Sequence, residues 1–250
     1  MLLVADIHGA ADALARVAAC EEPLLVLGDL VNLIDYRTND GIVADVVGKD
    51  VVKQISKLRA LRLRSEASDV WEAATAGRRD EINDAIRDRM AQEYRLVCAA
   101  LDGADAYVTF GNVDRPDMLC QHLPDSAQYV DGETRIIEGS TVGFVGGGIP
   151  RIGGAGEVEP DDMSAKLDRL GPVDILCTHV PPDVQPLASD VIGRTRKASK
   201  EILDYLIEHQ PAFHYFGDIH QPQATTWRIG NTTCINVGYF RATGRAVRHG

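Results

Sequence analysis

Short apolar runs rich in Val, Ile and Leu punctuate the chain: LLVAD (2–6), PLLVLGD (23–29), AYVTFGN (106–112), TVGFVGG (141–147), VDILCTH (173–179) and FHYFGD (213–218). They are continuous rather than alternating, so each predicts a strand buried on both faces. Between them the apolar spacing shifts to the helical period, which predicts helices over 10–20, 51–64, 69–101 and 195–209. Alternation of strands and helices gives an α/β class. The tail differs. ATTWRIGNTTCINVGYFRATGRAVR (224–248) alternates polar and apolar positions around Gly230-Asn231, which predicts a hairpin or meander.

Residues 50–102 form a long helical block whose charges alternate in sign, as in RRDEINDAIRDRMAQEYR (78–95). A solvated helix pair is the simpler reading. A cap over a site, or an arm for dimerisation, is the sharper one. The organisation expected is one domain over 1–250 with a helical insertion at about 50–102. The stretch GGGIPRIGGAGEVEP (146–160) is glycine-rich, but Pro150 and the second glycine cluster keep a helix from starting after it. It reads as a flexible loop near a site. A dinucleotide-binding oxidoreductase is disfavoured, because no G-x-G-x-x-G follows a strand and opens a helix.

Bulk composition narrows the partners. The 250 residues are 45% hydrophobic and 25% charged, with a net charge of −11. That balance argues against non-specific nucleic-acid binding, which needs a basic face. A small anionic substrate in a local cationic site remains compatible with it. The five cysteines, Cys20, Cys98, Cys120, Cys177 and Cys234, are odd in number, far apart and without a CxxC pair. They read as reduced thiols of a cytoplasmic protein. No basic segment precedes the first apolar run, and no run is long enough to span a membrane.

Nearly every apolar run ends on a side chain suited to metal binding. The first ends at Asp6 and His8, the second at Asp29, the third at Asn112, a later one at His179, and the last at Asp218 and His220. In open α/β sheets, sites assemble at the carboxyl ends of the strands. Side chains two apart in an extended segment point the same way, so Asp6 with His8, and Asp218 with His220, make two prongs. Taken singly, each has a plain alternative: a turn at Gly28-Asp29, a helix cap at Asn112, a loop at His179. Together they are hard to explain by core packing, which disfavours unpaired carboxylates and amides. His122, His209, His214 and His249 carry no motif and read as ordinary.

The order DIH, GD, GN, TH and Asp-x-His resembles the calcineurin-like metallophosphoesterase superfamily, whose pattern is DxH, GD, GN(H/x)(D/E), a late His and GHxH. The match runs from Asp6 to His220, and INVG (235–238) resembles the strand that follows GHxH. The resemblance implies a two-sheet β-sandwich core flanked by helices. It also implies two divalent metal ions, one on Asp6, His8, Asp29 and His220, the other on Asp29, Asn112, His179 and Asp218. The implied activity is hydrolysis of a small phosphate ester by a hydroxide activated between the metals. Asn112, with Arg115 or Arg151, would hold phosphoryl oxygens.

Two departures modify this expectation. Asp218 stands where the family usually has His, which favours Mn²⁺ or Fe²⁺ over Zn²⁺. Val113 stands where many members have a proton-donating His. Asp114 replaces it only if its pKa is raised, and otherwise caps a turn or pairs with Arg115. Without a donor, good leaving groups react best, which points to phosphodiesters over monoesters. The competing class is a metal-free, catalytically weak scaffold of the same superfamily that binds a protein partner. The departures at 113 and 218 point to the scaffold. The six other ligand types point, more strongly, to the enzyme.

Overall fold

The computed structural model describes residues 1–35 and 37–250, which divide into two compact units: Met1–Leu30 with Leu96–Gly250, and Val31–Arg95. In chain order the elements are β1 (Leu2–Val4), α1 (Ala11–Ala18), β2 (Leu24–Leu27), α2 (Ile42–Val47), α3 (Lys49–Ala60), α4 (Arg64–Thr75), α5 (Arg79–Ala99), β3 (Ala106–Thr109) and α6 (Pro116–His122). There follow β4 (Ala127–Tyr129), β5 (Glu133–Ile137), β6 (Ser140–Val145), α7 (Pro160–Leu170), β7 (Ile175–Thr178), α8 (Gln185–Ala188), β8 (Ser189–Asp190) and β9 (Thr195–Arg196). The last are α9 (Lys200–His209), β10 (Phe213–Phe216), β11 (Thr226–Ile229), β12 (Thr232–Asn236), α10 (Phe240–Thr243) and β13 (Val247–Arg248).

The larger unit is α/β with two mixed sheets. One has the order β13-β1-β2-β3-β4, the other β11-β12-β10-β7-β6-β5. β1 to β4 run parallel, and β13 closes the first sheet antiparallel. In the second sheet β12, β10, β7 and β6 are parallel, flanked by antiparallel β11 and β5. Leu3, Leu25 and Leu27 of the first sheet pack with Phe144, Ile175 and Tyr215 of the second in one buried cluster, so the sheets form a sandwich. Leu2, Val4, Leu24 and Val26, on the opposite faces, are buried as well. Burial on both sides is why these runs are continuous rather than alternating.

All six predicted strands form, and β11–β12 turn at Gly230-Asn231 as the tail pattern predicts. Each parallel strand stops short of its polar terminus, however. The predicted helix over 69–101 is two helices, broken around Gly77, which sits at φ +70°. The helix expected over 195–209 begins only at Lys200, where the Ser199 side chain accepts a hydrogen bond from Ile202 N. Residues 195–196 are instead strand β9.

The helical unit has its own small core, in which Val43, Ala44 and Val52 pack with Leu33, Trp71 and Ile86. Among the described residues no helix is long and apolar enough to cross a membrane.

Candidate metal centre

The candidate ligands do not lie in the strands. β1 ends at Val4, β2 at Leu27, β7 at Thr178 and β10 at Phe216, and the chain turns immediately afterwards. Asp6 (φ 58°), His8 (φ 43°), Asp29 (φ 54°) and Asp218 (φ 64°) occupy the left-handed region, which non-glycine residues rarely visit. The two-pronged geometry expected of extended Asp-x-His segments is therefore corrected. Tight turns, not a pleat, aim these side chains. Such strain persists only where surrounding bonds impose it. Here Asp6 N donates to Gly28 O, and His8 N to Asp29 O. Phe240 N donates to Ala5 O, and Arg241 N to Asp6 O.

Asp114 is the joint of this framework. Its carboxylate accepts from Asp29 N (2.7 Å), Leu30 N (3.0 Å) and Gly111 N (2.8 Å), and it is buried. A buried carboxylate that accepts from three backbone amides ties the loops after β2 and β3 together, a structural task that stands beside the expectation that Asp114 supplies a proton. The glycines of GD and GN serve close approach. A Cβ on Gly28 would strike Gly111 N, and one on Gly111 would strike the Asp29 carboxylate. The glycine-rich stretch after β6 is packed near its two ends, where a Cβ on Gly148 would overlap Asn112 and one on Gly156 would overlap Gly111 O, while residues 151–153 are exposed.

The side chains converge in two sets. In the first, His8 Nε2 lies 3.3 Å from His220 Nε2 and 3.7 Å from Asp29 Oδ2, and His220 Nε2 lies 3.5 Å from Asp6 Oδ1. In the second, His179 Nε2 lies 3.5 Å from Asp29 Oδ1, 3.7 Å from Asp218 Oδ1 and 3.4 Å from Asn112 Oδ1. Asp29 offers one oxygen to each set. Turned over, the Asn112 amide nitrogen donates to Asp218 Oδ1 at 2.8 Å. Asp6, His8, Asp29, His179 and Asp218 are buried, while Asn112 and His220 are half-buried.

Donors bound at about 2.1 Å to one cation stand about 3 to 3.5 Å apart, so this spacing fits a divalent metal ion. Three further observations agree. His179 Nδ1 bonds Leu27 O at 2.8 Å, which leaves Nε2 to face the carboxylates. At most one proton fits between the facing nitrogens of His8 and His220. Asp218 Oδ2 is buried without a hydrogen-bond partner among the described residues.

Electrostatics show the same demand for cations. Burial pushes the Asp6 carboxyl up, but His220, His179 and His8 outweigh it and hold it at about 2. Burial pushes His179 down, and Asp29, Asp218 and Asp6 reverse this, raising it above its ordinary value. His220 is raised in the same way, by Asp6 against burial.

Two neighbours carried no motif signal. Lys197, in the segment read as helix, forms an ion pair with Asp218 and places Nζ 3.4 Å from Asn112 Oδ1. Its signal was indirect: a third carboxylate at position 218 calls for a countercharge. Tyr239 stacks flat on His220, with ring centroids 3.9 Å apart and planes 5° apart, and meets His8 edge-on at 5.8 Å. The backbone N–H of Val113 donates to Asp29 Oδ1 at 3.0 Å, so position 113 contributes through its main chain. Arg115 faces Asp117 at the start of α6 (3.6 Å). Arg151 donates to Arg196 O at 2.8 Å, bracing the segment that carries Lys197.

No family model matches the chain, and no curated protein matches it. Twenty-two solved chains match in structure. One crystal structure superposes with a TM-score of 0.59 over 96% of this chain and 90% of its own length, at 14% identity. A likeness at that identity shows the fold alone.

Proposed function

We propose that this chain is a metal-dependent phosphoesterase with the fold of the calcineurin-like metallophosphoesterases, acting on phosphodiesters. One observation carries the reading: seven side chains from the turns after five strands bring imidazole nitrogens and carboxylate or amide oxygens into contacts of 3.3–3.7 Å in two sets that share Asp29. Asp6, His8, Asp29 and His220 would hold a divalent ion, and Asn112, His179 and Asp218 complete the second set with Asp29. Metal ions so held supply Lewis acidity toward a phosphoryl oxygen and an activated water. Asp6, Asp29, Asp218 and Asn112 make the donor set oxygen-rich, which favours Mn²⁺ or Fe²⁺ over Zn²⁺.

The chain's own residues set the rest. The backbone N–H of Val113 and the shared position of Asp29 fix that carboxylate between the two sets. The Val113 side chain cannot donate a proton, and Asp114 is engaged by three amides. With neither of these residues donating a proton to the leaving oxygen, esters with acidic leaving alcohols are favoured. The metal-free scaffold accounts for Val113. It does not account for three buried carboxylates, one of them paired with Lys197, facing three imidazoles at metal-ligand spacing.

The test is hydrolysis of bis(p-nitrophenyl) phosphate by chelator-treated protein before and after Mn²⁺ addition, beside p-nitrophenyl phosphate. Turnover that appears with Mn²⁺ and is faster on the diester is expected. If no phosphate ester is hydrolysed with any divalent metal, the scaffold replaces the enzyme.

A further inference from the structure

The second ligand set already contains a cation of the chain's own. We infer that Lys197 is the resident cation of that set, so that the protein retains one divalent ion, on Asp6, His8, Asp29 and His220, rather than two. The inference rests on the metal-centre reading proposed above and changes its stoichiometry.

Lys197 is not a lysine that has drifted in from the surface. Its backbone N donates to Ala188 O at 3.0 Å, and Ser199 N, two residues on, donates to Pro181 O at 3.0 Å. The hairpin β8–β9 that leads to it is pinned to the chain after His220: Val191 N donates to Gln221 O (2.9 Å), and Gln221 N to Asp190 Oδ2 (3.3 Å). Arg196 pairs with Asp183, and Arg151 holds the Arg196 carbonyl. The turn bearing His179 and the turn bearing His220 thus both anchor the strap that delivers the ammonium.

At its end, Nζ engages Asp218 Oδ1 and lies 3.4 Å from the Asn112 amide. These are two of the four donors of the second set. An ammonium and a divalent ion compete for the same oxygen lone pairs, and their like charges repel at this range. The first set differs. Its members His8, His220, Asp6 and Asp29 meet one another directly, and the ammonium acts on Asp6 and His220 through its charge alone.

The identity of residue 218 fits the same account. A neutral imidazole at 218 would offer a lone pair and no charge. Asp218 with Lys197 is also neutral overall, but its Oδ1 is already engaged, which leaves Oδ2 alone to offer. The carboxylate and the lysine therefore act as one paired substitution. The lysine side chain is 21% exposed. On this reading the ammonium takes the electrostatic part that a second metal would play toward the substrate.

The experiment counts metal. Full-length protein is stripped with chelator, incubated with excess Mn²⁺, desalted and measured by mass spectrometry, as wild type, Lys197→Met and Lys197→Arg. About one ion per chain is expected for wild type and Lys197→Arg, and about two for Lys197→Met. Electron paramagnetic resonance of the wild type alone is a second readout that needs no variant to fold. An isolated-ion Mn²⁺ spectrum is expected. Two retained ions with a spin-coupled spectrum in the wild type would overturn the inference and leave the phosphoesterase reading intact. A folded Lys197→Met protein that still retains one ion would also overturn it. Retention of no ion by any of the three would overturn both readings.

Discussion

His8 and His220 face each other with Nε2 atoms 3.3 Å apart, and Tyr239 lies flat against one of them. Across the same edge Asp218 meets Lys197. The two halves share Asp29 and sit at the ends of parallel strands in one sandwich, yet they meet a concentration of buried negative charge differently. One half is built of imidazoles whose nitrogens need an electrophile between them. The other holds an ammonium delivered by a strap. The difference teaches that a strand-end ligand pattern fixes where a cation belongs, while single neighbours outside the pattern decide which cation it is.

The comparison breaks most completely at the shared residue. Asp29→Ala removes an oxygen from both halves, and metal-dependent phosphodiester hydrolysis should fall on the order of 10³-fold. Steady-state kinetics with saturating Mn²⁺ reads it, and retention of a tenth of the wild-type rate would contradict the shared role. Asp114→Ala should act through stability instead. It strands three buried amides, at about 1 kcal/mol or more each, so chemical denaturation should show a loss of roughly 3–5 kcal/mol. Wild-type stability in that variant would mean those amides find other acceptors.

Tyr239→Ala tests the imidazole half alone. Freed from its stacking partner, His220 should orient less well, and metal affinity in the first set should drop about 10-fold. Tyr239→Phe keeps the ring and should bind as wild type. An equal loss in both variants would point to the hydroxyl instead.

A pH effect away from both halves is expected to be smaller. His214 is buried on β10, bonded through Nε2 to Thr178 Oγ1, and burial pushes it down to about 3. The unfolded chain takes up a proton near the ordinary histidine value, while the folded chain resists until about 3. The unfolded state then binds more protons, and stability declines as pH falls from about 6.5 toward 3. His214→Phe should flatten that decline in the metal-free protein. An unchanged slope would remove His214 as its source.

The sequence made the strands and the polar residues that converge at their ends legible for physical reasons. Strands buried on both faces must be continuously apolar, so a polar residue at the end of such a run stands out. Asp6, Asp29, Asn112, His179 and Asp218 were visible in that way. The conformation of the turns was not. Nothing in DIH announces a left-handed Asp6 and His8, because the strain is imposed by distant partners such as Gly28 O and Asp29 O. The three amides that Asp114 holds were not legible either, because they depend on which loops the fold brings together. Lys197 was hidden inside a segment with helical spacing, and only the cap at Ser199 separates it from α9. Tyr239 lacked any periodic signal, since its partner ring lies 19 residues away in a different turn.

The central claim is that these strand ends form a metal centre. Calorimetric titration of Mn²⁺ into chelator-stripped protein, wild type beside Asp6→Asn, tests it most directly. Saturable binding with proton release is expected for the wild type, because the raised histidines must give up protons to the metal. Binding should be lost in the variant. No saturable binding to the wild type, or the same binding to both proteins, would contradict the account.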